Sequence, residues 1–469
     1  MTSDGTTEKI DPGGLSGTAL VVVASVIAAF GGLLFGYDTG VVAAALPFIA
    51  DAFTLDDTMK QVVTASLLAG AVVGVIVGGS LSDRFGRKKT LLGVTVLYAI
   101  ATVGSALAPD TYFLIGARFF LGMAIGISSL VVPTYIAEMS PPKNRGTLVS
   151  LHQFMVTVGI LVAYLVGYGL AGEASGWRWM IGVAVVPAVL MFVGVLILPE
   201  SPRWLMAQGL ETRARAVLAR TRPVERVEEE LADIVSTVRS EGRITFRELL
   251  GPRYRRWVSV GVVAAGASQV VGVNAIIYYV PTILEDLGGF GKPAAIGVSV
   301  AVGVVNVLFT IPALIWIDRM GRRLWILGGT VVIIVSLAAL GVVFLFPLQE
   351  TAVFIAILVV LMIYESAFAC SLGIAIWLVN SEIFPNNVRG KAASFGIVTH
   401  WAMNLVVSLT VLTLINAIGA PGLFWLYGVL GVLCLIYLYR WLPETKNRSL
   451  EEIEAELKGG QEDSPKQTT

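Results

Sequence analysis

The sequence predicts an all-α membrane protein: twelve transmembrane helices in two six-helix bundles, with short cytoplasmic helices between the halves. Three observations carry that expectation. The 469-residue chain is 56% hydrophobic and only 14% charged, where soluble domains carry nearer a quarter charged residues. Twelve apolar segments approach or exceed the ~20 residues a helix needs to cross a bilayer. A set of loop motifs from the first half also returns, in the same order, in the second.

The segments run over 17–45, 60–82, 90–108, 112–137, 148–170, 178–198, 257–284, 293–317, 324–346, 352–380, 391–418 and 420–442. Lipid offers no partner to a bare backbone N–H or C=O, so each segment must be a helix. The strands of a membrane barrel would alternate in polarity over ~10 residues, a pattern this sequence lacks. Residues 1–16 are polar, with Asp4, Glu8 and Lys9, and lack the charged, apolar and small-residue zones of a cleaved signal. The first apolar segment is therefore expected to insert and stay.

Basic residues orient the bundle. The short loops after spans 2, 4, 8 and 10 hold Arg84, Arg87, Lys88, Lys89, Lys143, Arg145, Arg319, Arg322, Arg323, Arg389 and Lys391, whereas the opposite loops hold only Lys60, Arg178 and Lys292. Positive loops stay cytoplasmic, so both termini are predicted inside, in the cell membrane. The regions are then an N-terminal tail 1–16, a bundle 17–198, a linker 199–256, a second bundle 257–442 and a C-terminal tail 443–469. Within the linker Leu231, Ile234, Val235 and Val238 recur at helical spacing, which predicts short amphipathic helices.

Several function classes fall away. Net charge is zero, which argues against nucleic acid as a partner. Cys370 and Cys434 both sit in apolar runs and give neither a disulfide framework nor metal-ligand spacing. No nucleophile–base pair or phosphate loop appears, and the glycine-rich stretches lie inside spans, where they bring helices together. The expectation is a non-enzyme with no cofactor or metal and no obligate protein partner.

The repeat is carried by three markers. Asp83-Arg84-Phe85-Gly86-Arg87-Lys88 follows span 2 and Asp318-Arg319-Met320-Gly321-Arg322-Arg323 follows span 8. Glu138 with Arg145-Gly146 after span 4 matches Glu382 with Arg389-Gly390 after span 10, and Pro199-Glu200 matches Pro443-Glu444. Two like halves flanking a midplane site suit alternating access. The acids do nothing for the positive-inside rule, so Asp83, Arg87, Glu138 and Arg145, with Asp318, Arg322, Glu382 and Arg389, read as a charge latch on the cytoplasmic face. The plainer reading is that the basic members serve orientation alone.

These stretches, with Gly31-Gly32-Leu33-Leu34-Phe35-Gly36-Tyr37-Asp38-Thr39-Gly40, Pro133-Thr134-Tyr135-Ile136-Ala137-Glu138, Pro199-Glu200-Ser201-Pro202-Arg203, Ser381-Glu382-Ile383-Phe384-Pro385 and Pro443-Glu444-Thr445-Lys446, resemble the sugar porter family of the major facilitator superfamily. Their order and spacing cover about residues 25–455. The resemblance implies transport of a small sugar or polyol through the bilayer.

Inside the spans, ionisable groups are scarce. Asp38 in span 1 and Arg118 in span 4 each cost ~2.5–3.5 kcal/mol at a helix centre on insertion scales. A mutual partner or a wet cavity is expected, as either a protonation switch or a static pair. By resemblance, proton-coupled sugar symporters carry this Asp and Arg, and passive facilitators lack the Asp. Glu365 in span 10 has no evident partner in the sequence.

Sugar hydroxyls both donate and accept, so amides and aromatic faces suit them. Gln153, Gln269, Asn274, Asn306, Trp377, His400, Trp401 and Asn404 are the candidates, and helix-to-helix bonding is the blander role for each. The resemblance matches Gln153, Gln269, Asn274 and Asn306 to sugar-contacting positions and Trp377 to the span 10 tryptophan of glucose transporters. Gly272 weakens helix propensity and predicts a break in span 7, with Tyr278 and Tyr279 as a gate at the outer mouth. Ser268, Ala369, the proline-free Gly373-Ile374-Ala375-Ile376 and His400 depart from the glucose pattern and leave hexoses, pentoses and cyclic polyols such as inositol open. The competing functions are a passive uniporter, a proton-driven drug antiporter and a non-transporting nutrient sensor.

Overall fold

A computed structural model describes residues 17–141, 144–173, 175–241, 245–288, 291–348, 350–384 and 388–444. The side chains of 237–241, 246, 286–288, 317–320, 375–378, 381, 389 and 390 lie outside that description. Asp318, Trp377 and Arg389 are therefore placed on their helices and no further.

Helices form where the apolar runs predict them. The first bundle holds α1 (Thr18–Phe53), α2 (Asp57–Phe85), α3 (Arg87–Ala106), α4 (Thr111–Met139), α5 (Arg145–Leu170) and a sixth crossing made of α6 (Gly176–Gly182) and α7 (Val185–Ile197). Asp56 and Asp110 start α2 and α4 by accepting from the backbone N–H of Met59 and Phe113, satisfying donors that a helix leaves open. α1 runs past the predicted end of its span, through Pro47, and stops at Thr54, whose φ is 50°.

The second bundle breaks its helices more often. Span 7 is α12 (Arg255–Val270) and α13 (Val273–Gly288), interrupted where Gly272 takes φ 81°, as its propensity predicts. α14 (Lys292–Met320) and α15 (Arg322–Val343) follow. Span 10 also breaks, into α16 (Thr351–Cys370) and α17 (Leu372–Glu382), although no proline marks the place. There Ser371 leaves helical geometry at φ −121° and ψ −87°, and its hydroxyl donates to the Ala367 carbonyl. α18 (Arg389–Trp441) has 53 residues, ~80 Å of helix and far more than one crossing. Gly419, at φ 73° and ψ 165°, divides it into spans 11 and 12.

Between the bundles lie α8 (Pro202–Ala207), α9 (Glu211–Thr221), α10 (Val224–Glu241) and α11 (Phe246–Leu249). Leu205, Ala214, Leu218, Val227 and Leu231 bury one another there, so the amphipathic spacing closes a small core of its own. The two bundles meet where α2 lies along the first part of α18 and α5 along α14, two contacts that the internal repeat makes equivalent.

The loop motifs bind within each half. Gly86 (φ 92°) and Gly321 (φ 93°) introduce α3 and α15 in the same conformation. The Glu200 carboxylate accepts from the backbone N–H of Arg87 (2.9 Å) and Lys88 (3.2 Å), and Glu444 from Arg322 (3.0 Å) and Arg323 (3.1 Å). A carboxylate there meets the open N–H groups and positive end of a helix. A Cβ on Gly86 or Gly321 would fall 2.3 or 2.7 Å from that carboxylate, which explains the glycine. The arginine side chains continue the pattern: Arg87 binds Glu138 (3.0 Å) and Asp83 (3.4 Å), and Arg322 binds Glu382 (3.1 Å). These pairs tie helices of one bundle together. Arg145 is exposed and forms no ion pair within 4.0 Å among the described residues.

Candidate substrate cavity and proton site

A cavity lined by residues of both bundles lies between them. The first bundle supplies Phe35, Thr39, Gln153 and Thr157, and the second supplies Ser268, Gln269, Asn274, Asn306, Thr310, Ala369 and His400. The breaks bring these groups inward. At the Gly272 break the helix turns Gln269 and Asn274 to the same space, and the Tyr364 hydroxyl donates to the freed Val271 carbonyl (2.9 Å). Pro281 cannot donate to the carbonyl one turn before it, and that carbonyl, of Ile277, accepts instead from Tyr164 of the first bundle (3.1 Å).

The polar wall is bonded to itself. Asn274 Nδ2 donates to Gln269 Oε1, while Gln269 Nε2 donates to Ser268 Oγ (3.0 Å) and lies 3.0 Å from His400 Nδ1. His400 Nδ1 thus sits beside the Gln269 amide and the Ser268 hydroxyl (3.4 Å). Of the predicted ligands, Gln153, Gln269, Asn274, Asn306 and His400 line the cavity. Trp401 stands behind it, its ring tilted at 46° to Phe35 with centroids 4.9 Å apart and Nε1 donating to Ser129 Oγ (3.2 Å). Asn404 donates to Tyr278 Oη (3.3 Å), and Tyr279 Oη to the Ser408 carbonyl (2.9 Å). Both tyrosines are at most 3% exposed and hold α13 against α18 rather than lie open at a mouth. His152 is buried against the Gly32 backbone position and does not line the cavity.

Asp38 and Arg118 are both 2% exposed but do not pair directly. Asp38 Oδ2 accepts from the Tyr98 hydroxyl, and Arg118 Nε donates to the Val63 carbonyl (2.9 Å). No ion pair within 4.0 Å joins them among the described residues, although the Arg118 charge acts on Asp38. Arg118 Nη1 is buried without a partner. Tyr98 escaped the sequence reading, as did the capping roles of Glu200 and Glu444. A tyrosine inside an apolar span needs a partner for its hydroxyl, and that was the available signal.

On the side away from the repeated loops, the bundles are tied to each other. Lys292 bonds Asp51 and donates to the Pro47 carbonyl (3.1 Å), Asn416 donates to Asp57 (2.9 Å), and Gln61 donates to Thr413 (3.1 Å). That face is closed. Lys292→Ala is expected to shift the population about fivefold toward a state open on this face, since a part-exposed pair contributes up to ~1 kcal/mol. Thiol labelling of Thr413→Cys, in a background with Cys370 and Cys434 replaced by alanine, measures it as faster reaction.

Two six-span bundles with a polar cavity between them and a buried acid beside it define a membrane transporter. The chain belongs to the sugar porter family of the major facilitator superfamily: the model for "Sugar (and other) transporter" matches residues 24–457. It is 37% identical over 441 residues to the arabinose-proton symporter of Bacillus subtilis, covering 92% of this chain and 94% of that one. It is 39% identical to the D-xylose transporter of Levilactobacillus brevis, with 92% and 94% covered. Among solved structures, the proton:xylose symporter XylE bound to 6-bromo-6-deoxy-D-glucose superposes with TM-score 0.82 at 30% identity, covering 94% of this chain and 99% of that one. The protein is accordingly a multi-pass protein of the cell membrane and a transporter rather than an enzyme.

Proposed function

We propose that this chain carries a monosaccharide or related polyol across the cytoplasmic membrane together with a proton, by alternating access. The observation that carries the reading is the amide-lined cavity shared by the two bundles, with Gln153, Gln269, Asn274 and Asn306 on its walls. Amides supply donor and acceptor side by side, which suits adjacent sugar hydroxyls. The named specificities of the relatives, arabinose, xylose and a bromodeoxyglucose ligand, support the same substrate class.

Asp38 and Arg118 serve as the coupling pair. Protonated Asp38 rests against Tyr98, and the ionised form draws on the unused Nη1 of Arg118. With the repeated loops and both termini in the cytoplasm, as the positive charges require, the closed face is extracellular. Tyr278 and Tyr279 then belong to the outer gate. In the outward-facing state the charges of Asp83, Arg87, Glu138, Arg145, Asp318, Arg322, Glu382 and Arg389 meet across the bundles and latch the cytoplasmic face.

The test is purified protein in liposomes, offered labelled D-xylose, L-arabinose, D-glucose, D-galactose and myo-inositol, with and without an inward proton gradient. Uphill uptake of at least one of them is the expected result. Saturable uptake indifferent to the gradient makes the protein a uniporter, and binding without uptake makes it a sensor.

A further inference from the structure

Glu365 is a carboxylate that this transport cycle leaves unused. It is fully buried on α16, in the membrane core, where acids are costly and rare. Its Oε1 accepts from Asn306 Nδ2, and its Oε2 is buried without a hydrogen-bond partner. No cation lies within 4.0 Å of it among the described residues. Tyr164 of α5 and Tyr364 of α16 are close enough to interact with it, but their hydroxyls are committed to the Ile277 and Val271 carbonyls. Its hydrogen bonding is therefore spent on Asn306.

Asn306 lines the cavity from α14. The two ends of an amide are alike in shape and opposite in hydrogen-bond sense, so neighbours decide which way it faces. Here the Glu365 carboxylate draws the Nδ2 end. Thr310 Oγ, whose one proton goes to the Asn306 carbonyl (2.8 Å), lies 3.4 Å from Oδ1. Oδ1 is thereby kept on the side of Thr310, itself a cavity residue. Held this way, Asn306 offers an acceptor to a hydroxyl in the cavity.

We propose that Glu365 is a positioning residue: it fixes the Asn306 amide and with it the hydrogen-bond sense that this wall presents to a polyhydroxylated substrate. Glu365 itself touches no substrate. The inference rests on the reading of the cavity as the sugar site.

The test uses full-length protein, with equilibrium binding in detergent and counterflow exchange in liposomes for the five sugars and polyols named above. Glu365→Leu removes the acceptor at similar volume, and Glu365→Gln retains one. For the compound bound best, Glu365→Leu is expected to raise Kd and the exchange KM about tenfold, the scale of a lost buried hydrogen bond, with maximal exchange within about twofold. Glu365→Gln restores both constants. Asn306→Ala shows the same loss, and the Leu–Ala double variant is no worse than Asn306→Ala alone, as coupling through one amide requires. Unchanged affinity in Glu365→Leu, additive losses in the double variant, or a fall in maximal rate at constant affinity would overturn the proposal. Should Glu365→Leu fail to fold, Glu365→Met, unbranched and of similar length, answers the same question. Wild-type protein that binds none of the five overturns the reading of the cavity, and the proposal with it, whereas binding that is indifferent to Glu365 overturns the proposal alone.

Discussion

Asp38→Asn abolishes uphill accumulation and leaves counterflow exchange intact: that is the expected result if Asp38 is the coupling acid. The side chain is 2% exposed, and its hydrogen bond comes from the Tyr98 hydroxyl. Asparagine keeps an acceptor oxygen for that donor, so the packing survives. What it removes is the capacity to take up and release a proton. With one proton per sugar, a gradient of one pH unit is worth 1.36 kcal/mol and supports about tenfold accumulation. In the variant the ratio of internal to external sugar should fall to about one, while labelled sugar still exchanges against unlabelled sugar at a comparable rate. Counterflow needs the carrier to reorient loaded, and a permanently neutral residue 38 resembles the protonated carrier in charge. Retained accumulation would remove Asp38 from the coupling step. Glu365, the other deeply buried carboxylate among the described residues, would then be the acid to replace.

Twelve crossings and their arrangement in two halves were legible because bilayer thickness imposes a length that few other constraints imitate. The cavity was legible through its amides: Gln153, Gln269, Asn274 and Asn306 are costly in an apolar span unless they serve a neighbour or a ligand, and all four line one space. The break in span 7 followed from Gly272, but the break at Ser371 did not. There the geometry depends on a neighbouring helix. Trp325 of α15 donates its indole N–H to the Cys370 carbonyl, and Gly329 leaves room for the Ser371 side chain. Such contacts join residues ~40 apart and have no local signature. The same limit hid the roles of Glu200 and Glu444. Each follows a proline at the end of a span, yet each acts on the start of a helix more than 100 residues earlier. For Asp38 and Arg118 the expectation was a mutual partner or a wet cavity; a hydroxyl on α3 and a carbonyl on α2 meet them separately, and neither group has a local signature beside them.

Gly36→Val is expected to eliminate folded protein, whereas Gly93→Ala is expected to be tolerated. The glycines of the Gly31–Gly40 stretch do not stand there for flexibility. Gly32, Gly36 and Gly40 fall four residues apart on one face of α1, which returns them to the same stripe. Opposite them on α5 stand His152, Val156 and Ile160 at the same spacing. A Cβ on Gly32 would lie 2.3 Å from the His152 carbonyl oxygen, one on Gly36 1.9 Å from that of Val156, and one on Gly40 2.8 Å from that of Ile160. These are backbone atoms, so no rotamer change can clear them, and the two helices would have to separate. Separation would open the seam just below Asp38 and alongside Gln153, because α1 carries Asp38 and α5 carries Gln153. The cost should exceed the ~1–3 kcal/mol of ordinary overpacking, a large share of the 5–15 kcal/mol that stabilises a typical folded protein. A Cβ at Gly93 on α3 would meet nothing within 4 Å, and alanine there gains up to ~1 kcal/mol of helix propensity. Size-exclusion profiles and thermal unfolding of the two variants in the same detergent check the contrast. A monodisperse Gly36→Val protein with wild-type stability would mean that α1 and α5 are not held in backbone contact, and that the glycine stripe serves some other end.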